Sequence, residues 1–285
     1  MTSSIQHVSD TSAWVAYYRA LESKRPDALF QDTYAESLVG NRASHFARLK
    51  SNTTKWTQWT VIMRTLIIDQ MILDLKEKGC QAVLNLGAGL DSRPYRLNLG
   101  SDVQWIEVDY PHVIDYKTKI LQNEIPRCSL ERIGLDLSDR SRRQALFSEI
   151  AQKHSQIVVL TEGVLPYLSV DQVSELSEDL MIHPSFQYWI GEYISPQSYR
   201  YLKNPKRMRL LQNAPFQFYP EDWIGFFQSR GWNLKREEYY TETSEKVGRR
   251  SPMPFFFKIL ELIKGSEWAK SYKQMSGYLL WSRRP

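Results

Sequence analysis

Along the chain, the spacing of apolar residues separates a helical first part from an alternating remainder. Residues 12–22 (SAWVAYYRALE) and 28–39 (ALFQDTYAESLV) carry apolar side chains three and four positions apart, as in a helix with one buried face. Residues 56–78 give the longest such stretch, and Gly79 follows where a helix C-terminus favours glycine. The pattern then changes. QAVLNLG (81–87) is a short apolar run ending in glycine, as expected of a strand buried on both faces. Further strands are predicted at 103–109, 129–137, 156–163 and 186–194, with helices at 112–122, 140–153 and 170–182 between them. Strands alternating with helices predict parallel βαβ units. Beyond them, 196–212 and 220–231 read as helical, 232–240 as a strand, 255–264 as helical and 272–283 as a last strand.

The whole predicts one α/β domain over 1–285. It has a Rossmann-like, mostly parallel sheet with an antiparallel C-terminal strand. Residues 1–80 form a helical cap, 81–194 a cofactor-binding core, and 195–285 a helical lid insertion with the last strands.

Composition adds exclusions. Of the 285 residues, 42% are hydrophobic, enough for a core, and no apolar run reaches the length of a membrane span. The polar start MTSSIQHVSD lacks the apolar stretch of a secretory signal, and two cysteines are too few for a disulfide framework; both fit a reducing cytoplasm. The net charge of +5 invites a polyanion partner, yet the basic groups (140–143, 203–209, 249–250, 283–284) are scattered rather than gathered in one stripe. The five histidines show no metal-ligand spacing. No nucleophile elbow or phosphate-binding loop is present.

The chemistry concentrates after the first predicted strand, in 83–91 (VLNLGAGLD). Gly87 and Gly89 would let the backbone turn at the carboxyl edge of the sheet, where open α/β folds bind ligands. Asp109 lies 20 residues beyond Gly89 at the end of the second strand, where a carboxylate can accept both hydroxyl protons of an adenosine ribose. Glu107 is the competing acid; Asp109 is preferred because it is nearer the strand end. These features fit a nicotinamide dinucleotide and S-adenosyl-L-methionine alike. The dinucleotide fingerprint requires a third glycine where Ser92 stands, and Asp91 would repel a pyrophosphate. Charge therefore favours the methyl donor.

The ordered pieces YRALES (18–23), RTLIIDQMI (64–72), VLNLGAGLDSRPYRL (83–97), WIEVDYPHVIDYK (105–117), GLDL (134–137) and LTEGVLPYL (160–168) resemble the leucine carboxyl methyltransferase family, with its bacterial polyketide O-methyltransferase-like members. The resemblance implies transfer of a methyl group from S-adenosyl-L-methionine to oxygen, typically of a carboxylate. It places Arg64 at the donor's methionine carboxylate, Gly87 in the cofactor turn and Asp109 on the ribose. Asp136 and Leu137 fall beside the adenine, and Glu162 near the donor's amino group. Arg19 is the candidate for the basic residue that phosphatase-directed members carry near the N-terminus.

Each role has a plainer counterpart: Arg64 on a solvated helix face, Asp136 capping the next helix, Glu162 and Asp91 serving their turns, and the aromatics of 214–227 packing a core rather than walling an acceptor. Glu192 and Tyr193, ending the fifth strand, are the acceptor-side candidates. The absence of a His/Asp dyad leans toward a carboxylate acceptor, which needs no base, over a phenol. The acceptor would be a small molecule or peptide bearing a carboxylate or hydroxyl. The competing readings are a nicotinamide-dependent oxidoreductase and a non-catalytic interaction module on the same fold.

Overall fold

The computed structural model describes residues 8–48, 52–203, 215–252 and 263–284. Seven strands form one sheet in the order β3-β2-β1-β4-β5-β7-β6. They are β1 (Ala82–Leu86), β2 (Gln104–Asp109), β3 (Ser129–Gly134), β4 (Ile157–Thr161), β5 (Phe186–Ile194), β6 (Trp232–Tyr239) and β7 (Ser276–Arg283). The first five run parallel, and β7 is antiparallel to both neighbours. Every residue of β1 and β4 is buried, which is why both read as unbroken apolar runs.

Two apolar layers sandwich the sheet. On one face, α4 (Asn52–Glu77) packs Met63, Ile67, Ile68, Met71 and Leu75 against Val83, Trp105, Val158 and Ile190. On the other, α7 (Arg140–Lys153) and α8 (Val170–Met181) pack Phe147, Ile150, Leu176 and Leu180 against Leu84, Val159, Phe186 and Trp189. A smaller cluster holds α1 (Val8–Ser23) and α2 (Ala35–Val39) against Leu90, Tyr95 and Leu121. The basic run of α7 is neutralised locally: Arg143 is buried on Asp179, and Arg140 pairs with Asp179 and Glu178. Among the described residues no helix is long and apolar enough to cross a membrane.

Several predicted elements differ. The helix expected at 28–39 is reduced to α2, because Leu29 and Phe30 pack instead against the α4 layer and Asp32 is held in the interior. The strand predicted at 129–137 stops at Gly134. The helix at 220–231 contracts to Trp223–Gln228, capped by Asp222. Of the helix expected at 196–212, a short turn (Pro196–Ser198) and Tyr199–Leu202 are present, and most of the remainder lies outside the described residues. So does most of 255–264. An unpredicted helix, Tyr240–Lys246, has a polar sequence without helical periodicity and buries Tyr240, Thr243 and Ser244.

At the β6–β7 junction, a side chain at Gly277 would collide with the Glu238 carbonyl oxygen and lie 2.8 Å from Tyr239 Cα. Both obstacles are backbone and cannot step aside. Gly277→Ala is expected to lower unfolding free energy by about 2–3 kcal/mol in a urea titration, the scale of an overpacked core; an unchanged midpoint would contradict this packing.

Candidate active site

The carboxyl edge of the sheet is shaped first by the turn leaving β1. Gly87 and Gly89 have φ of +68° and +46°, in the left-handed region that side chains disfavour. Gly87 N and Ala88 N both donate to Val108 O (2.8 and 3.1 Å), pinning the turn to β2. Space is tight as well: a Cβ on Gly87 would lie 2.5 Å from Val164 Cγ2, and one on Gly89 3.0 Å from Ser12 Cβ. Thus α1 and the segment after β4 both press on this loop.

Asp109 ends β2 beside that turn. Its Oδ2 accepts from Gly89 N (2.6 Å) and its Oδ1 from Tyr110 N (2.7 Å). Burial raises its pKa, and the two N–H donors offset this only in part. Each oxygen retains a lone pair beyond its backbone bond. Glu107 is engaged differently. Fully buried, it accepts from Lys117 Nζ (2.6 Å) and Arg132 Nε (2.9 Å), so its charge is consumed in the interior.

A buried ion network supports the turn from below. Arg93 is its hub: Nη1 donates to Glu162 Oε2 (2.6 Å) and Asp91 Oδ2 (2.7 Å), and Nε donates to Asp69 Oδ1 (2.7 Å). Arg96 grips both oxygens of Asp69 (2.5 and 2.7 Å). Arg19, on α1, donates to Asp32 (2.7 Å) and to the carbonyl of Leu90 (2.6 Å), clamping the cap onto the glycine loop. Arg64 Nε lies 2.9 Å from Glu162 Oε1 without the alignment of a hydrogen bond. Burial opposes ionisation of Asp91 and Glu162. The guanidinium of Arg93, reinforced at Glu162 by Arg64, outweighs it, and both acids are held below the ordinary carboxylate range.

Sequence reasoning placed Arg64 and Glu162 here but missed Arg93, Arg96, Asp69 and Asp32. The run DSRPYR was the available signal for the arginines; nothing local marks Asp69, on the long helix, as their partner. Arg93→Met would leave Asp69, Asp91 and Glu162 short of a counter-charge. The expected loss is about 3–5 kcal/mol of unfolding free energy, the scale for breaking a buried pair, read by urea denaturation.

The other predicted residues fall into place by element. Asp136 follows β3, half-buried, with Oδ1 accepting from Ser138 N (2.9 Å); the cap of α7 is Asp139, which accepts from Arg142 N. Leu137 packs at the rim of the core, its carbonyl held by Arg143. Glu192 and Tyr193 are separated by strand alternation. Tyr193 packs against Trp223 and Tyr239 on the α7–α8 side. Glu192 takes the opposite, α4 side: its Oε1 accepts from Gly163 N and from Val164 N (2.9 Å), next to Glu162. Burial raises the Glu192 carboxyl to about 7, against those N–H groups and Arg64, which lower it. The aromatics Phe218 and Trp223 are core residues, with Trp223 stacked edge-on to Phe218.

Comparison with known proteins gives the family and the fold. The profile of the leucine carboxyl methyltransferase family matches residues 12–181. A protein of Mycobacterium avium assigned as an S-adenosyl-L-methionine-dependent methyltransferase is 32% identical over 269 residues, covering 86% of this chain and 85% of its own. A similarly assigned protein of Frankia alni is 26% identical over 256 residues, covering 86% and 90%. Among solved structures, a DUF574 family protein of Streptomyces avermitilis superposes with a TM-score of 0.57 at 12% identity, covering 95% of this chain and 97% of that one. A protein of Thermobifida fusca assigned as a methyltransferase gives 0.54 at 15% identity, covering 95% and 94%. These two carry the fold alone. With the family profile spanning more than half its length, this chain belongs to the leucine carboxyl methyltransferase family.

Proposed function

We propose that the chain is an S-adenosyl-L-methionine-dependent O-methyltransferase acting on a carboxylate or hydroxyl oxygen of a small molecule or peptide. The methyltransferase activity and its donor follow from the family; oxygen as acceptor and the residue roles are the proposal. One observation carries it. At a single sheet edge stand a turn held by two glycines in the left-handed region, an acid with spare lone pairs, and an arginine–carboxylate pair of opposite charge.

The residues suit the donor group by group. Asp109 binds the ribose hydroxyls, with one backbone N–H already on each oxygen fixing its orientation. Arg64 takes the methionine carboxylate and Glu162 the amino group. These two now neutralise each other, and a zwitterion offers each a replacement partner of the right sign. Asp136 receives the exocyclic amine of the adenine, while Leu137 lies on the ring. Gly87 and Gly89 give the turn the shape that seats Asp109 on Gly89 N.

When bound, the donor supplies an electrophilic methyl on a sulfonium, a leaving group needing no further activation. The protein's part is then positioning and exclusion of water. Asp91 and Glu162 are both paired with Arg93, so charge at the turn does not separate the two cofactors; Ser92, standing where the dinucleotide fingerprint needs a third glycine, argues against a nicotinamide dinucleotide.

In isothermal titration calorimetry the wild-type protein is expected to bind S-adenosylhomocysteine and not NADH. Asp109→Ala and Glu162→Ala should each weaken that binding at least tenfold. Wild-type protein that ignores S-adenosylhomocysteine would remove the reading; unchanged affinity in a variant would remove that residue's role.

A further inference from the structure

Beside the donor residues, on the α4 side of the sheet, buried polar atoms stand without partners. Glu192 Oε2, the Tyr278 hydroxyl and Trp59 Nε1 have no hydrogen-bond partner among the described residues. Their residues are 6%, 0% and 7% exposed. They belong to one neighbourhood. Glu192 and Tyr278 are cross-strand partners in the β5–β7 register. The Tyr278 ring lies 6.4 Å from that of Tyr240, which lies 6.2 Å from Trp59, edge to face. Interiors rarely leave polar atoms unpaired, and a group of them beside a reaction centre is explained by a ligand that completes the bonds. Trp59 Nε1 donates, an ionised Glu192 Oε2 accepts, the Tyr278 hydroxyl can do either, and aromatic rings adjoin them.

We propose that this cluster of side chains, on α4, β5, β7 and helix Tyr240–Lys246, forms the acceptor site, that it takes a flat phenol or enol, and that Glu192 Oε2 receives the hydroxyl proton while Tyr278 and Trp59 hold the acceptor's polar atoms. The inference rests on the methyltransferase reading and deepens it. Position supports the role: Ile190 of β5 pairs with Leu160 of β4, so Glu192 stands level with Glu162 at the same edge. Its Oε1 is fixed by Gly163 N and Val164 N, leaving Oε2 as the free oxygen.

The chemistry balances. The acceptor's O–H bond breaks and its proton passes to Glu192 as the oxygen forms a bond to the methyl carbon. The carbon–sulfur bond breaks, its electron pair remaining on sulfur as a neutral thioether, and Glu192 releases the proton to solvent before the next turnover. A carboxylate acceptor would need no such base and would meet an ionised Glu192 as a like charge. The groups facing Glu192 are Arg64 from α4, Glu162 at the end of β4, Tyr167 after it, Tyr240, and Tyr278 from β7. Arg64 is the cation among them, and the three tyrosines, all raised by burial, stay neutral through the working range. Glu192 is therefore the group that titrates near 7.

The test uses the full chain, methyl-labelled S-adenosylmethionine, and matched panels of phenols and aromatic carboxylic acids, with products identified by mass. The label is expected on phenolic oxygen as an aryl ether. The rate should rise with pH through about 7 and then level, because Glu192 is the base only when ionised. Glu192→Gln should lower kcat at least a hundredfold and abolish that rise while leaving S-adenosylhomocysteine binding within twofold; Tyr278→Phe should chiefly raise KM.

A second readout needs no acceptor. The folded state binds the Glu192 proton more tightly than the unfolded chain does. Its stabilising share is therefore complete below about 4.5 and lost as pH rises through about 7. The Tm of Glu192→Gln should consequently gain on wild type across that interval. Protein that binds S-adenosylhomocysteine yet yields methyl esters, or methylates no phenol, overturns the inference while the methyltransferase reading stands. Failure to bind S-adenosylhomocysteine removes both.

Discussion

The site depends on the mutual cancellation of buried charge beneath the glycine turn. Four guanidinium groups (Arg19, Arg64, Arg93 and Arg96) face four carboxylates (Asp32, Asp69, Asp91 and Glu162) across α1, α4, the β1 turn and the end of β4. A charge taken out of water is tolerable only with a well-placed partner, so these elements cannot shift independently. That constraint holds the cap against the loop through Arg19 and Leu90 and fixes Glu162 where β4 ends. Within this network Arg64 and Glu162, the residues proposed to meet the donor's carboxylate and amino group, compensate each other's charge, with Arg93 also on Glu162.

Strand alternation then divides the labour between the two faces of β5. Glu192, Ile190 and Tyr188 face the α4 layer and the ion network, whereas Tyr193 and Trp189 face α7 and α8; Phe186 joins the latter because the β4–β5 register shifts between Ile157 and Val158. A one-residue change of register would exchange these sets, placing a carboxylate in an apolar core and an aromatic ring over the site. The antiparallel pairing with β7 locks the register and brings Tyr278 opposite Glu192. Strand β7 thus sits between β5 and β6 and carries Tyr278 to the proposed acceptor site.

Family membership and site geometry address different halves of the reaction. Family membership accounts for the donor, and the residues proposed to hold it come from the turn and the adjoining strand ends. The proposed acceptor half is drawn from elements distant in sequence: α4, β5, helix Tyr240–Lys246 and β7. Its polar atoms are recognisable because they lack partners among the described residues, a property that no local stretch of sequence carries.

By itself the sequence determined the alternating strands and helices, the glycine turn and the acid 20 residues on. All are local: they follow from apolar periodicity, glycine's access to positive φ, and distance along a single strand. The bounds of α7 and β5 were legible to the residue, since capping and burial there agree with the local pattern. Tertiary structure decided the rest. Asp109 differs from Glu107 because only Glu107 meets Lys117 and Arg132, and Asp69 matters because folding carries Arg93 and Arg96 onto it. The helix at Tyr240–Lys246 forms despite a polar, aperiodic sequence, because packing against α4 outweighs local preference. Pairings between charges far apart in the chain leave no periodic mark, so they appear only once the sheet has brought them together.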